Sequence, residues 1–231
     1  MVKMGLPHMS LFAAIVVMLA GCFAAPFQDK VAPETPLSNL DLSSFTQIPG
    51  SREIDSGAVP LDLQPATGYD YWELRRLKDP NVIVLAQGGR RGKGELPLDV
   101  AAAIERLPKS AGFGAHCLPG WCFDYVVTVS SDGVETLLSA AELRSFLGEI
   151  DTRDEAILLA QALGYYSGTS KEEASIREVA DGYELLVWKA IQSSEPCPSE
   201  DFYRVLLHLS RSGALTEESS EFLERSECRI F

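Results

Sequence analysis

Residues 152–192 read TRDEAILLAQALGYYSGTSKEEASIREVADGYELLVWKAIQ, and the fold class follows from this stretch. Thr152 and Glu155 stand at the spacing of a capping box, in which the hydroxyl accepts from an orphan helical N–H and the carboxylate reaches back to the cap. Ala156, Leu159, Ala160 and Leu163 then recur on one helical stripe, and Gly164 supplies the stop. After a polar loop the apolar period changes. Ser175–Val179 and Tyr183–Ala190 flank Asp181-Gly182, a strong hairpin signal. Phe202–Ser210 predicts another strand, Ser212-Gly213 another turn, and from Ala214 the chain returns toward Cys228. A helix followed by an antiparallel meander predicts an α+β fold, with antiparallel sheets and short helices packed on one face.

Upstream, the same signals recur. Tyr71–Leu77 reads as a strand, Lys78–Asn81 as a turn, and the unbroken apolar run Val82–Ala86 as a second, buried strand. Gly88–Gly94 (GGRRGKG) reads as a mobile loop. Val100, Ala103, Ile104 and Leu107 follow at helical spacing, ended by Pro108. Phe123–Ser130 alternates, Asp132-Gly133 turns the chain into Val134–Leu138, and Ser139–Glu142 is a second capping box. It opens a helix with Leu143, Phe146 and Leu147 inward and Gly148 at its end. Residues 68–148 and 149–231 are thus expected to form two α+β subdomains. At an offset of eighty residues, Cys117, Ser130, Gly133 and Thr136 match Cys197, Ser210, Gly213 and Thr216, a pattern that duplication and shared hairpin rules both generate. Residues 22–67, with Pro26, Pro33, Pro36, Pro49, Pro60 and Pro65 and no period, read as a largely disordered tether. Only Val59–Leu63 is expected to add to a sheet, as an edge segment.

The chain has 231 residues, 46% hydrophobic and 23% charged, which excludes a collagen, a long coiled coil or a fully disordered protein. One apolar run, Leu11–Ala20, follows Lys3 and is shorter than a bilayer-spanning helix requires. It ends in Leu19-Ala20-Gly21-Cys22. This quartet resembles the lipobox of bacterial lipoproteins. The resemblance implies that residues 1–21 are a signal peptide and that Cys22 becomes the N-terminus, carrying a thioether-linked diacylglycerol and an amide-linked acyl chain such as palmitate. Anchored so, the chain would belong to the bacterial cell envelope. Phe23 rather than Asp after the cysteine implies the outer membrane rather than the inner. The net charge is −13, and residues 135–231 alone carry −10. Such a surface repels phosphate backbones, so no nucleic-acid partner is expected.

With Cys22 assigned to lipid, Cys117, Cys122, Cys197 and Cys228 remain, and an even set in an exported chain reads as disulfides. Pro119-Gly120 favours a turn that brings Cys117 to Cys122, leaving Cys197 for Cys228. His116, Cys117 and Cys122 lack the second close pair that zinc requires, and neither a metal nor a cofactor is expected.

The basic glycine loop offers Arg90, Arg91 and Lys93 as an anion-binding candidate, with Arg75, Arg76 and Lys78 adding to the patch. Gly94 after Lys93 excludes a P-loop. His116 and His208 lie far apart with no nucleophile elbow, and Glu172-Glu173 and Glu217-Glu218 read as solvated charge, so no catalytic residue is identified. Tyr69, Tyr71, Trp72 and Trp121 read as packing and hairpin stacking rather than a ligand groove. The function expected is a non-catalytic binding or structural lipoprotein, held to the membrane through Cys22 and engaging a protein or an envelope polymer. The alternatives are a secreted hydrolase with an unidentified carboxylate site, or an inhibitory or chaperone-like module. In architecture the helix-then-meander of residues 152–222 is similar to the PepSY and cystatin-like folds.

Overall fold

The computed structural model describes residues 36–49, 61–78, 81–107, 111–114, 122–192 and 199–226. All lie in the compact unit Val31–Phe231. The described elements are β1 (Thr46–Gln47), β2 (Tyr71–Lys78), β3 (Asn81–Gly88), α1 (Leu98–Glu105), β4 (Cys122–Ser130), β5 (Gly133–Leu137), α2 (Ala140–Leu147), α3 (Arg153–Ala162), β6 (Tyr165–Tyr166), β7 (Ser175–Val179), β8 (Gly182–Gln192), β9 (Glu200–Ser210) and β10 (Leu215–Ser226). They make an α+β fold of two antiparallel sheets. The smaller has the order β3-β2-β4-β5. The larger runs β1-β7-β8-β9-β10, with β6 beside the far half of β8.

Both capping boxes form. Ser139 and Thr152 accept from the N–H groups of Glu142 and Glu155, whose carboxylates return to the cap N–H groups. Glu155 does more than cap. Its Oε1 accepts from Gln64 N at 2.6 Å, while the neighbouring Asp154 accepts from Asp62 N at 2.7 Å. The start of α3 thereby holds the segment that leads into β2.

α3 is buried over six consecutive residues, Glu155–Ala160, where the sequence predicts a single stripe. A helix buried all round has apolar surface on more than one side. Here the core joins Trp72, Leu74 and Val126 of the small sheet, Leu143, Phe146 and Leu147 of α2, α3 itself, and Leu185, Val187, Val205 and Leu207 of the large sheet. The residues of both expected subdomains therefore share one core. The opposite face of the small sheet, with Tyr71, Leu77, Tyr125, Val127 and Val129, is covered by Leu96 and Ile104. The opposite face of the large sheet, through Leu186 and Leu206, is covered by Leu37 and Phe45.

Two sequence expectations change. Residues 36–49 and 61–67 fall inside the expected tether, yet Leu37, Phe45, Ile48 and Leu63 are buried, and β1 pairs with β7 through Thr46↔Ile176 and Gln47↔Ser175. Isolated apolar residues between prolines carry no period, so a strap that packs residue by residue leaves no pattern to detect. The run Val82–Ala86 forms β3 but is not buried: it is the edge strand of the small sheet, and Val84 is exposed. As for the eighty-residue repeat, β4–β5 and β9–β10 are both hairpins, but eighty residues beyond β2 lies α3 rather than a strand.

Candidate functional site

An open concavity lies where the segment entering β2 meets the end of β3. It measures about 370 Å³ and is lined by Leu63, Pro65, Thr67, Gly68, Tyr69, Trp72, Gln87, Gly88, Gly89 and Arg90. β2–β3 pairing places Trp72 opposite Gly88. A Cβ at Gly88 would stand 2.7 Å from the indole of Trp72, so only glycine leaves room for that ring. Gly89 has φ +122° and no space for a Cβ beside the backbone of Asp70 and Tyr71. This lets the chain double back, with Arg90 N donating to Tyr69 O and Arg91 N to Asp70 O. Tyr69 and Trp72 both lean on Phe146 of α2, with ring centroids 5.5 and 5.7 Å away. On the rim the Arg90 guanidinium pairs with Asp70 at 3.0 Å.

Beneath the adjoining loop, on the other face of β2, sits a buried charged cluster. Glu73 is fully buried; the Tyr71 hydroxyl and Arg75 Nε donate to its two carboxylate oxygens. Lys93 reaches in from the glycine loop, 3.1 Å from Glu73 Oε1 and 3.0 Å from Glu105 Oε1. Burial alone pushes the Glu73 carboxyl up, but the hydrogen bonds from Tyr71, Arg75 and Lys93 and the charge of Arg75 outweigh it and hold the group below its ordinary value. Burial likewise pulls Lys93 down, and its two carboxylate partners more than reverse this. On the opposite face Arg76 and Asp124, both 3% exposed, form a fork-shaped pair with two 2.7 Å contacts.

These contacts decide how the sequence candidates stand in space. Lys93 of the anion-loop set is neutralised by Glu73 and Glu105, Arg90 by Asp70, and Arg91 is exposed. Arg75 and Arg76, expected to extend a basic patch, are buried in ion pairs instead. The GGRRGKG loop is thus pinned by a lysine clip, with Arg91 left outside these ion pairs. Cys122 is buried at the start of β4 and disulfide-bonded. Cys22, Cys117, Cys197 and Cys228 lie outside the described residues, as do His116 and Trp121. His208 faces Asp181 at 3.3 Å. Glu173 closes a turn by accepting from Thr169 N and Ser170 N. Glu217 is not solvated charge: Tyr165 Oη donates to it at 2.5 Å and Lys189 at 2.8 Å, and its side chain is 13% exposed. Long partners from β6 and β8 cover it, which a lone Glu-Glu pair in sequence does not foretell.

Of the aromatic set, Tyr69 and Trp72 line the groove while Tyr71 points to the other face of the sheet. The sequence reading missed Glu73 and Asp124 entirely. The signal was present: YWELRRLK and CFDYVVTVS place charges inside otherwise apolar strands, and a charge there needs an opposite charge on the neighbouring strand. Arg76↔Asp124 is one such cross-strand pair. Among the described residues no helix is long and apolar enough to cross a membrane, and no group of three or more His, Cys, Asp or Glu side chains is placed to hold a metal. No known protein family, curated protein or solved structure matches the chain.

Proposed function

We propose that the protein is an envelope lipoprotein, anchored through acylated Cys22, whose folded part binds a ligand without transforming it. One observation carries the binding half of this reading. The open groove is walled by aromatic and apolar side chains, with a few convergent polar groups whose charges cancel at the rim, the usual make-up of a recognition site. The lipid half rests on Leu19-Ala20-Gly21-Cys22. A chain carrying two or three acyl groups stays on a bilayer where one group would dissociate. Metabolic labelling with a clickable palmitate analogue tests it. The wild type should take up label and sediment with membranes, and Cys22→Ala should lose both. An unmodified mature N-terminus beyond residue 22, found by mass spectrometry of the wild type, would refute the anchor.

The inhibitory or chaperone-like alternative draws on a different feature. β10 is twelve residues long, ends the order of its sheet, and exposes Phe222 and Leu223. Its two register irregularities and its glutamates are, however, the devices that keep an edge from pairing. The groove is therefore the preferred binding face.

A further inference from the structure

We infer that the ligand of this groove is an uncharged glycan, a short stretch of neutral sugar rings; the inference rests on the binding reading above and names its ligand class. Trp72 is only 6% exposed, yet no protein group among the described residues accepts a hydrogen bond from its indole N–H. Nor is that nitrogen among the described atoms sealed away without a partner, which are Ser175 Oγ, Trp188 Nε1 and Glu217 Oε2. It sits at the Gly88 wall, where an added Cβ would come within 2.9 Å of it, and both residues line the groove. A nearly buried donor on the wall of a cavity is well placed to be met by an acceptor supplied from that cavity.

The surroundings narrow the acceptor. An anion would need an unpaired cation in the lining, but the arginine there, Arg90, is matched by Asp70, and the exposed Arg91 is not among the lining residues. An extended peptide would add to a free backbone edge, and the one nearby among the described residues is the outer side of β3, turned away from the β2 wall that carries Trp72. The N–H groups of Arg90 and Arg91 at this wall are already given to Tyr69 O and Asp70 O. What is left is a neutral surface with donors and acceptors side by side: the Arg90–Asp70 pair, the indole N–H and Thr67, beside the ring of Tyr69. Vicinal hydroxyls donate and accept at once, and the C–H face of a pyranose ring packs on an aromatic ring. A sugar matches both.

The test uses the acylated full chain in detergent, with the Trp72 indole N–H signal assigned by Trp72→Phe. Chitotetraose and cellotetraose are the neutral probes; chondroitin sulfate and a proline-rich peptide are the contrasts. A neutral oligosaccharide should shift the indole signal at millimolar concentration. Arg90→Ala, an exposed rim change that leaves the core untouched, should weaken that binding about tenfold, and Tyr69→Ala at least as much. Leu98→Gln, exposed at the start of α1 and outside the groove lining, should leave it unchanged. A shift caused only by the sulfated polymer or the peptide overturns the glycan assignment and leaves the groove as a binding face. No shift with any probe overturns both. Oligosaccharide binding that ignores both Arg90→Ala and Tyr69→Ala places the sugar elsewhere and also overturns the proposal.

Discussion

At the scale of single residues, the protein depends on charges that are buried because they are matched. Asp124 and Arg76 face each other across β4 and β2 with almost no solvent. Removing one partner strands the other in a low-dielectric interior, which costs about 3–5 kcal/mol, whereas replacing both by apolar groups of similar volume is often close to neutral. Asp124→Ala should therefore lower the urea unfolding midpoint severely, and the double change Arg76→Met with Asp124→Leu should recover much of the loss. Equal midpoints for wild type and Asp124→Ala would show that the pair carries no such weight.

At the scale of elements, α2 shows how a cap becomes a pH response. Glu142 Oε2 accepts from Leu138 N and Ser139 N, both at 2.9 Å, and from the Ser139 hydroxyl at 2.8 Å. The Leu138 N–H first and the Ser139 hydroxyl second hold its carboxyl below the ordinary 4.5. A depressed folded value means that the stabilisation is complete above pH 4.5 and drains away as pH falls through the folded value. Glu142→Gln should flatten the acid limb of the stability curve; an unaltered limb would contradict the assignment. Such caps, the hairpin turns at Asp132-Gly133 and Asp181-Gly182, and the stops at Gly148 and Gly164 are legible in sequence because every atom they need lies within a few residues. Other features depend on what stacks on what. Val82–Ala86 has the composition of an interior strand and lies at an edge, since nothing local says which strand is last. Tyr69, Trp72 and the Gly88-Gly89 pair are each visible in the sequence. Their convergence into a groove is not, because it exists only once β2 and β3 pair and Phe146 backs both rings.

At the scale of the whole molecule, the strap of residues 36–49 covers apolar surface that the sheet cannot cover itself. Leu37 and Phe45 lie over Leu186 and Leu206, and Ile48, also buried, donates its N–H to Ala174 O at 3.0 Å. Each such side chain contributes roughly 1.5–3 kcal/mol on burial, so losing the strap removes an amount comparable to the stability of a typical domain. A chain starting at Pro36 should unfold at the same urea concentration as the mature protein, and one starting at Leu61 should unfold far earlier or aggregate. Coincident curves for the two truncations would make the strap dispensable. Its packing also sets a leash. With Cys22 as the proposed anchor, the longest possible tether ends at the buried Leu37 rather than at the start of β2. The fourteen residues between them, fully drawn out, reach about 50 Å. A body anchored there could range no further than that from the leaflet, so whatever it captured would have to come within that radius, at an effective concentration fixed by the length of one short string.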